Sequence, residues 1–187
     1  MAEILGIDNL KGSIKGLAYS SLYQVSVTAP GNLAGSDEVN NIFTYTAESV
    51  TLPGRDMDVA QIGGSRASMM DMPTGYKTQD VQMTLFCTGD YAIRKLLEKW
   101  FFRAINPVFD ENGGKNRASP YMLKYHAGNN YTGTINIAQL DQRHEPIFTA
   151  KLINAWPKVI SNIQLSSANV EASTLDVTWA YEDYTIS

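Results

Sequence analysis

The sequence predicts a mainly β fold: an antiparallel β-sandwich or barrel that carries one α-helix and one extended loop. Apolar and polar side chains alternate along residues 175–186 with the period of two that is typical of a half-buried strand. Only residues 90–105 have a helical period, and residues 53–77 have the glycine and proline content of a loop. A chain of 187 residues is most simply a single domain with its own core.

The N-terminal part is predicted to be an arm followed by two strands. Residues 1–18 are glycine-rich with little periodicity, and we expect an arm that becomes ordered against a partner. Strands are predicted at residues 22–28 and 42–49. The residues between them, 29–41, are rich in proline, glycine, asparagine and aspartate and are predicted to be a loop.

Residues 53–77 are too many for an ordinary structureless connection, so the sequence predicts either a separate hairpin or a binding element. Asp56 and Asp58 are spaced to project from one face of a strand, which is more typical of a solvated face than of an acid–base or metal site. The segment also carries four methionines, whose pattern is equally compatible with core packing and with contact to another protein. They are Met57, Met69, Met70 and Met72.

The single predicted helix follows a short strand at residues 81–86. Apolar residues recur at steps of three and four along residues 90–105 and form one continuous stripe. Thr88 or Asp90 can cap the start of this helix. We expect the stripe to pack against a sheet, with Trp100 and Phe101 in the core.

The remaining chain is predicted to consist of strands. Residues 121–127 and 132–140 indicate a hairpin around a turn of glycine and asparagine. A strand that ends at Trp156 follows, because Pro157 has no backbone N–H to continue a ladder.

The last predicted strand, residues 175–186, completes the sheet. Its alternation places Leu175, Val177 and Trp179 on the apolar face, and we expect these side chains in the core. A shift of one residue in this register would turn all three toward solvent.

Composition and motifs argue against an enzyme. His126 and His144 are the only imidazoles, and neither is accompanied in sequence by the groups of a catalytic site. The chain has no recognisable metal-binding or nucleotide-binding motif, so we expect no cofactor. The net charge is −4 without a basic cluster, unlike a protein that grips nucleic acid through its phosphates. No segment is long and apolar enough to suggest a membrane partner.

The order and spacing of these segments resemble the tail tube proteins of contractile-tailed bacteriophages. The matching segments run from residue 22 to the C-terminus. They are LYQVSV at 22–27, FTYTAES at 43–49, LPGR at 52–55, VQMTLF at 81–86, WF at 100–101, WP at 156–157 and YEDY at 181–184. The resemblance implies that residues 53–77 extend from the body and pack on an adjacent ring, which favours inter-ring contact for the four methionines.

The resemblance also implies a structural virion protein. Its homohexameric rings would stack into the inner tube of a contractile tail, the conduit for DNA ejection into the host bacterium. Expected partners are further copies of the chain and the sheath, baseplate and tail terminator proteins, with the tape measure protein and DNA in the lumen without tight binding. The protein would lie in the virion tail after assembly in the host cytoplasm. An acidic bore would repel phosphates, and Asp56, Asp58 and Asp80 are candidate lumen-facing residues.

Two alternatives stay open at this point. The Hcp ring protein of type VI secretion and the tubes of contractile bacteriocins resemble the same architecture, and such a tube would deliver protein. The other alternative is a monomeric carbohydrate-binding β-sandwich, suggested by three tryptophans and ten tyrosines without a catalytic set.

Overall fold

The computed structural model describes residues 19–30, 33, 36–63, 69–104, 131–165 and 172–187. The strands within these ranges are β1 (Tyr23–Thr28), β2 (Ala47–Val50), β3 (Arg55–Ile62), β4 (Met70–Thr78), β5 (Val81–Phe86), β6 (Gly133–Leu140), β7 (Pro146–Ile160), β8 (Thr174–Ala180) and β9 (Asp183–Ile186). The helices are α1 (Ser36–Thr46) and α2 (Ala92–Ala104). The predicted mainly β, antiparallel fold is confirmed, although the described ranges contain two helices and no closed barrel.

Seven strands form one bent sheet in which β7 belongs to both halves. The strand order is β1-β6-β7-β8-β5-β2, with β9 beside β7. The first part of β7 pairs with β6 and β9, whereas the part from Trp156 to Ile160 pairs with β8. Asn154, between the two parts, has a φ of 54°, a left-handed conformation that bends the strand. A strand that changes sheets through such a bend forms the corner between two layers.

The predicted end of a strand at Trp156 is wrong, because β7 continues through Pro157. Pro157 lies opposite Trp179, and the register shifts between Pro157 and Val159. The ladder therefore accommodates the missing N–H by an irregularity instead of ending there. Beyond the end of β7, residues 161–165 are not in a strand.

The C-terminal run of residues 175–186 is two strands and not one. β8 pairs with the second part of β7, and β9 pairs with its first part. The chain must therefore step across the bend between Ala180 and Asp183. The Asn154 amide donates a hydrogen bond to Glu182 Oε2 at 2.5 Å, which ties this step to the bend in β7.

The predicted strand at residues 42–49 is wrong for most of its length. The predicted loop at residues 29–41 is also wrong from residue 36 onward. Residues 36–46 form α1, and only Ala47–Val50 are extended. Val39 and Phe43, one helical turn apart, are both fully buried. Tertiary burial of these two side chains decides for the helix over a weak strand pattern.

Helix α2 confirms the helix predicted from the apolar stripe. The Asp90 carboxylate lies two residues before the helix and accepts a hydrogen bond from the backbone N–H of Ala92, its first residue, at 3.3 Å. This bond and a hydrogen bond from the Thr88 hydroxyl hold the pKa of Asp90 below its ordinary value, the Thr88 contact being the larger cause. Trp100 is fully buried, whereas Phe101 is partly exposed at the rim of the stripe.

An aromatic cluster from three elements lies at the centre of the core. The Trp179 ring meets the Phe43 ring at 5.9 Å and the Trp100 ring at 5.3 Å, both in edge-to-face geometry. The buried Trp179 indole N–H has no nitrogen or oxygen acceptor among the described residues. Leu175 and Val177 of the same strand are also buried.

Several sequence predictions fall outside the described residues. These are the arm at residues 1–18, the first strand of the hairpin at residues 121–127, and His126. The second strand of that hairpin is β6, which begins with Gly133. A Cβ on Gly133 would lie 2.4 Å from the Thr28 carbonyl oxygen and 2.8 Å from the Trp100 ring, so only glycine fits this close approach.

Candidate assembly surfaces

The β3–β4 hairpin is the most exposed part of the described structure. Its two strands pair with each other and with no further strand in the described ranges. For residues 53–77 the sequence predicted either a separate hairpin or a binding element, and the structure contains a separate hairpin. Seven apolar or aromatic side chains at the hairpin are between 46% and 75% exposed, namely Met57, Val59, Ile62, Met69, Met70, Met72 and Tyr76.

The two faces of the hairpin follow from its register. Residues that lie opposite each other share a face, and successive residues alternate. The register shifts beyond the Asp58 and Gly75 pair, so that Val59 lies opposite Pro73 and Thr74 is the extra residue. The Thr74 hydroxyl donates a hydrogen bond to the Asp58 carbonyl at 3.1 Å and closes this bulge.

We name the two faces by the residues that they present. The acidic face carries Asp56, Asp58 and Lys77 near the root of the hairpin and Ala60, Ile62, Met70 and Met72 toward its tip. The arginine face carries Arg55, Met57, Val59 and Gln61 of β3 and Asp71, Pro73, Tyr76 and Thr78 of β4.

The four methionines therefore do not form one surface. Met70 and Met72 lie on the acidic face near the tip, whereas Met57 lies on the arginine face, opposite Tyr76 near the root. Met69 directly precedes β4 and is 75% exposed. None of the four is in the core, and their role as inter-ring contacts stays a prediction.

The three candidate lumen-facing carboxylates have polar partners. Asp56 accepts a hydrogen bond from the Gln79 amide at 2.8 Å. Asp58 pairs with Lys77 at 3.2 Å, and Asp80, outside the hairpin strands, pairs with Lys158 at 2.6 Å. Asp56 and Asp58 share the acidic face as the spacing predicted, but Lys77 offsets part of its negative charge.

The root of the hairpin is tied to the body through Arg55. Its guanidinium forms a 2.7 Å ion pair with Asp183 and donates a 3.1 Å hydrogen bond to the Tyr184 carbonyl. The guanidinium carbon also lies 4.4 Å from the centre of the Tyr184 ring and 5.3 Å from that of Tyr76. The arginine face therefore turns toward β9 at its root, and the acidic face turns away from β9.

The ion pair at this root depends on an ionised Asp183. The hydrogen bond from Arg55 is the largest cause that holds the pKa of Asp183 below its ordinary value, and the Tyr184 N–H adds to it. A carboxyl whose pKa is lower in the folded state stabilises that state above its unfolded pKa. The contribution is lost as pH falls through the folded pKa, so acid loosens the contact between hairpin and body.

A second contact at the root involves Tyr181. Its hydroxyl donates a 2.6 Å hydrogen bond to the Gln79 carbonyl, and the Gln79 N–H donates to the Gly54 carbonyl at 3.0 Å. Burial is the main cause that raises the pKa of Tyr181 to about 12. The phenol therefore stays protonated, and able to donate, at neutral pH.

A shallow groove lies between the two helices. Its volume is about 690 Å³, and its lining includes Ile42, Tyr45 and Thr46 of α1 and Ala92 of α2. Tyr45 stands 82% exposed beside it. The sequence does not reveal this groove, because its local pattern predicts a loop and a strand where α1 lies.

The described residues contain no group of three side chains able to hold a metal ion. His144 has a φ of 64° in the turn before β7. No helix in the described ranges has the length and apolar character needed to cross a membrane.

Comparison with known proteins identifies one family. The sequence model of the family described as phage tail tube protein matches residues 18–187. No curated protein sequence matches the chain at a significant level.

Similar solved structures include two of the anti-feeding prophage and one of an extracellular contractile injection system. A chain in the sixfold-symmetrised baseplate of the anti-feeding prophage has a TM-score of 0.62 and 15% identity over 93% of this chain and 97% of its own. A chain of the anti-feeding prophage tube-terminating cap has a TM-score of 0.61 and 11% identity. The match covers 94% of this chain and 93% of that chain. A chain from the sheath-tube complex of the PVC extracellular contractile injection system has a TM-score of 0.57 and 12% identity. The match covers 95% of this chain and 96% of that chain. Likeness at such identities shows a shared fold.

Proposed function

This chain belongs to the phage tail tube protein family, and we propose that it builds the inner tube of a contractile tail. In this proposal six copies close into a ring, and rings stack into a hollow conduit for DNA. The role is structural and not enzymatic, because it depends on surfaces between copies. The protein then lies in the tail of the particle, after assembly in the host cytoplasm.

The observation that carries the proposal is the exposed apolar hairpin. A two-stranded ribbon has no interior and is too thin to bury its own side chains. Toward its tip the acidic face of the hairpin nevertheless presents Ile62, Met70 and Met72 to solvent. A contiguous apolar surface of this kind marks a protein contact. Stacked rings supply that contact, because each hairpin can pack on a copy in the adjacent ring.

The acidic face supports a bore that DNA crosses without adhering. At the root of the hairpin it is the face turned away from β9, with Asp56 and Asp58 both exposed. Repeated carboxylates around a ring would repel phosphates at short range. We assign these two residues to the lumen, with Asp80 as a third candidate whose charge Lys158 offsets.

The proposed partners follow from the same arrangement. Rings that stack need a sheath around them, a baseplate at one end and a terminator at the other. The similar folds occur in a baseplate structure, a sheath-tube complex and a tube-terminating cap. The tape measure protein and DNA would occupy the lumen with few contacts.

Electron microscopy of the purified full-length chain tests the proposal. We expect rings with sixfold symmetry and stacked tubes at high protein concentration. Analytical ultracentrifugation of the same samples measures the mass of the smallest species. A chain that stays monomeric at every concentration would contradict the proposal and favour the carbohydrate-binding β-sandwich.

Charge reversal tests the proposed bore. We expect the double variant Asp56→Lys and Asp58→Lys to assemble and to slow DNA ejection by roughly tenfold or more, because bound phosphates release counterions and contacts repeat in every ring. Higher salt should partly restore the rate. Particles carrying the variant tube would be triggered in vitro, and release of DNA followed by dye fluorescence.

The control for charge reversal is Asp71→Lys, which makes on the arginine face the charge change that each of the two single substitutions makes on the acidic face. We expect ejection close to the wild-type rate from this variant. Equal ejection by the wild type and the double variant would place Asp56 and Asp58 outside the bore. Loss of assembly in the double variant would place them in a contact between copies.

A second candidate function is a tube that delivers protein instead of DNA. The observation that favours it is that the similar solved structures include an extracellular contractile injection system. Isolation of native particles distinguishes the two, because a phage tail is joined to a DNA-filled head. A headless particle with a protein passenger would support an Hcp-like or bacteriocin-like tube.

A further inference from the structure

The described methionines fall into two groups by exposure. Met57, Met69, Met70 and Met72, all at the hairpin, are 66%, 75%, 66% and 46% exposed. Met83, in β5, is 1% exposed and lies in the core. A small oxidant dissolved in water therefore reaches the methionines of the hairpin and is kept from Met83.

Three of the exposed methionines share the tip of the hairpin. Met70 and Met72 lie two residues apart in β4, so their side chains project from the same face, and Met69 directly precedes that strand. Ile62 lies opposite Met70. We call Met69, Met70 and Met72 the tip methionines. A chemical change at their sulfur atoms alters most of the apolar surface at the tip.

The thioether is the group of this surface that hydrogen peroxide attacks. A lone pair of the sulfur takes one oxygen of the peroxide, and the O–O bond breaks as the S–O bond forms. The other oxygen takes up the proton of the transferred oxygen and leaves as water. Sulfur loses the two electrons that reduce the peroxide. The product is a polar sulfoxide, which methionine sulfoxide reductases return to the thioether.

The single cysteine competes poorly for the same oxidant. Cys87 is partly buried after β5, and burial is the main cause that raises the pKa of its thiol, although Arg94 opposes the shift. The thiolate is the reactive form of cysteine, so little of that form is present at neutral pH. A thioether has no proton to lose, and the tip methionines react without this requirement.

We propose that the tip methionines are a redox-sensitive modification site, at which oxidation by a peroxide to sulfoxides stops the hairpin from packing on an adjacent ring. The inference rests on the proposed function, since it names a regulation of the contact that the hairpin makes there. A sulfoxide buried in that contact gives up its hydrogen bonds to water. A ring that is oxidised before assembly is therefore excluded from the stack.

Assembly and oxidation oppose each other in this proposal. Tip methionines packed between rings are shielded from the oxidant, whereas those of free rings stay exposed. The contact repeats in every copy of a ring, so oxidation of a fraction of the chains reduces stacking by more than that fraction. Tubes formed before exposure to peroxide persist, and free rings exposed first do not stack.

Peptide mass spectrometry of the full-length chain measures the modification itself. Unassembled protein and preformed tubes would each be treated with dilute hydrogen peroxide for increasing times. In unassembled protein we expect the tip methionines to form sulfoxides roughly tenfold or more faster than Met83. Preformed tubes should show slower oxidation at the tip.

Light scattering and electron microscopy measure the effect on assembly. We expect oxidised wild-type protein to form roughly tenfold fewer tubes than untreated protein at the same concentration. Treatment with methionine sulfoxide reductases should restore the tubes. The test variant changes the tip methionines to leucine, which keeps the apolar volume and has no sulfur. It should form tubes before and after peroxide, although it retains Met57, Met83 and Cys87.

Met57→Leu is the matched control, since it removes an exposed methionine from the arginine face near the root. Its tip remains oxidisable, so we expect peroxide to reduce its tubes as in the wild type. Circular dichroism would verify that each variant and each oxidised sample is folded.

Four results would overturn the proposal. They are tip methionines that oxidise no faster than Met83, oxidised protein that stacks normally, an equal loss of tubes in the leucine variant, and reductase treatment that restores none. The last of these needs no substitution, so it decides even if the leucine variant does not assemble. An untreated wild-type chain that forms no rings or tubes would contradict the proposed function itself, whatever its oxidation rates.

Discussion

Replacing Trp179 with alanine is expected to lower the free energy of unfolding by about 3–5 kcal/mol, the usual cost of emptying a large aromatic site in a core. The ring is fully buried in β8 and contacts the rings of Phe43 and Trp100. Its removal takes edge-to-face contacts from both helices at once. Chemical denaturation followed by fluorescence and circular dichroism measures the loss.

The matched control for this substitution is Tyr45→Ala. Tyr45 is 82% exposed on α1, where its removal creates no cavity. We expect a change within about 0.5 kcal/mol from it, as for other surface substitutions. A loss below about 1 kcal/mol for Trp179→Ala would mean that the core collapses around the missing ring or that the face of β8 is assigned wrongly.

Shortening the hairpin is expected to abolish tube formation while the subunit stays folded. The register supplies the cut: residues 59–74 are replaced by Asn-Gly, which joins Asp58 to Gly75 through a tight turn. The deleted part pairs with no other described strand, so we expect the free energy of unfolding to change by no more than about 1 kcal/mol. Denaturation and electron microscopy measure the two properties separately.

A full-length variant separates the hairpin's chemistry from its length. Changing Met69, Met70 and Met72 to serine removes apolar surface from the tip, and we expect it to prevent stacking of rings. The matched control changes three exposed apolar residues elsewhere, Tyr45, Phe86 and Ile147, to serine. Normal tubes from the shortened chain would remove the hairpin from the contact between rings, and an unfolded product would place it in the core.

The sequence was sufficient where one local pattern decides the structure. The apolar stripe of α2 repeats over several turns, and the alternation in β5, β6 and β8 is regular, so each pattern has one compatible period. The same patterns, in order, carry the resemblance to tail tube proteins. The acidic pair could also be placed on one face, because residues two apart in a strand share a face by geometry alone.

The candidate site was only partly accessible from sequence. Residues 53–77 could be recognised as unusual by length and composition, and Asp56 and Asp58 by spacing. The opposite faces of Met57 and Met70 depend on a bulge in the register. The contact between Arg55 and Asp183 joins residues far apart in the chain, and no local pattern marks it.

Tertiary structure alone decided α1, the bend in β7 and the division of the C-terminal run. In each case the local signal is weak or misleading, and burial or pairing with a distant segment outweighs it. Val39 and Phe43 favour a helix because the core accepts both side chains from one helical face. The sequence by itself determined which segments are strongly periodic and which surfaces lack a core pattern. The fold determined the rest, because edges, corners and salt bridges are contacts between segments that a single stretch of sequence does not contain.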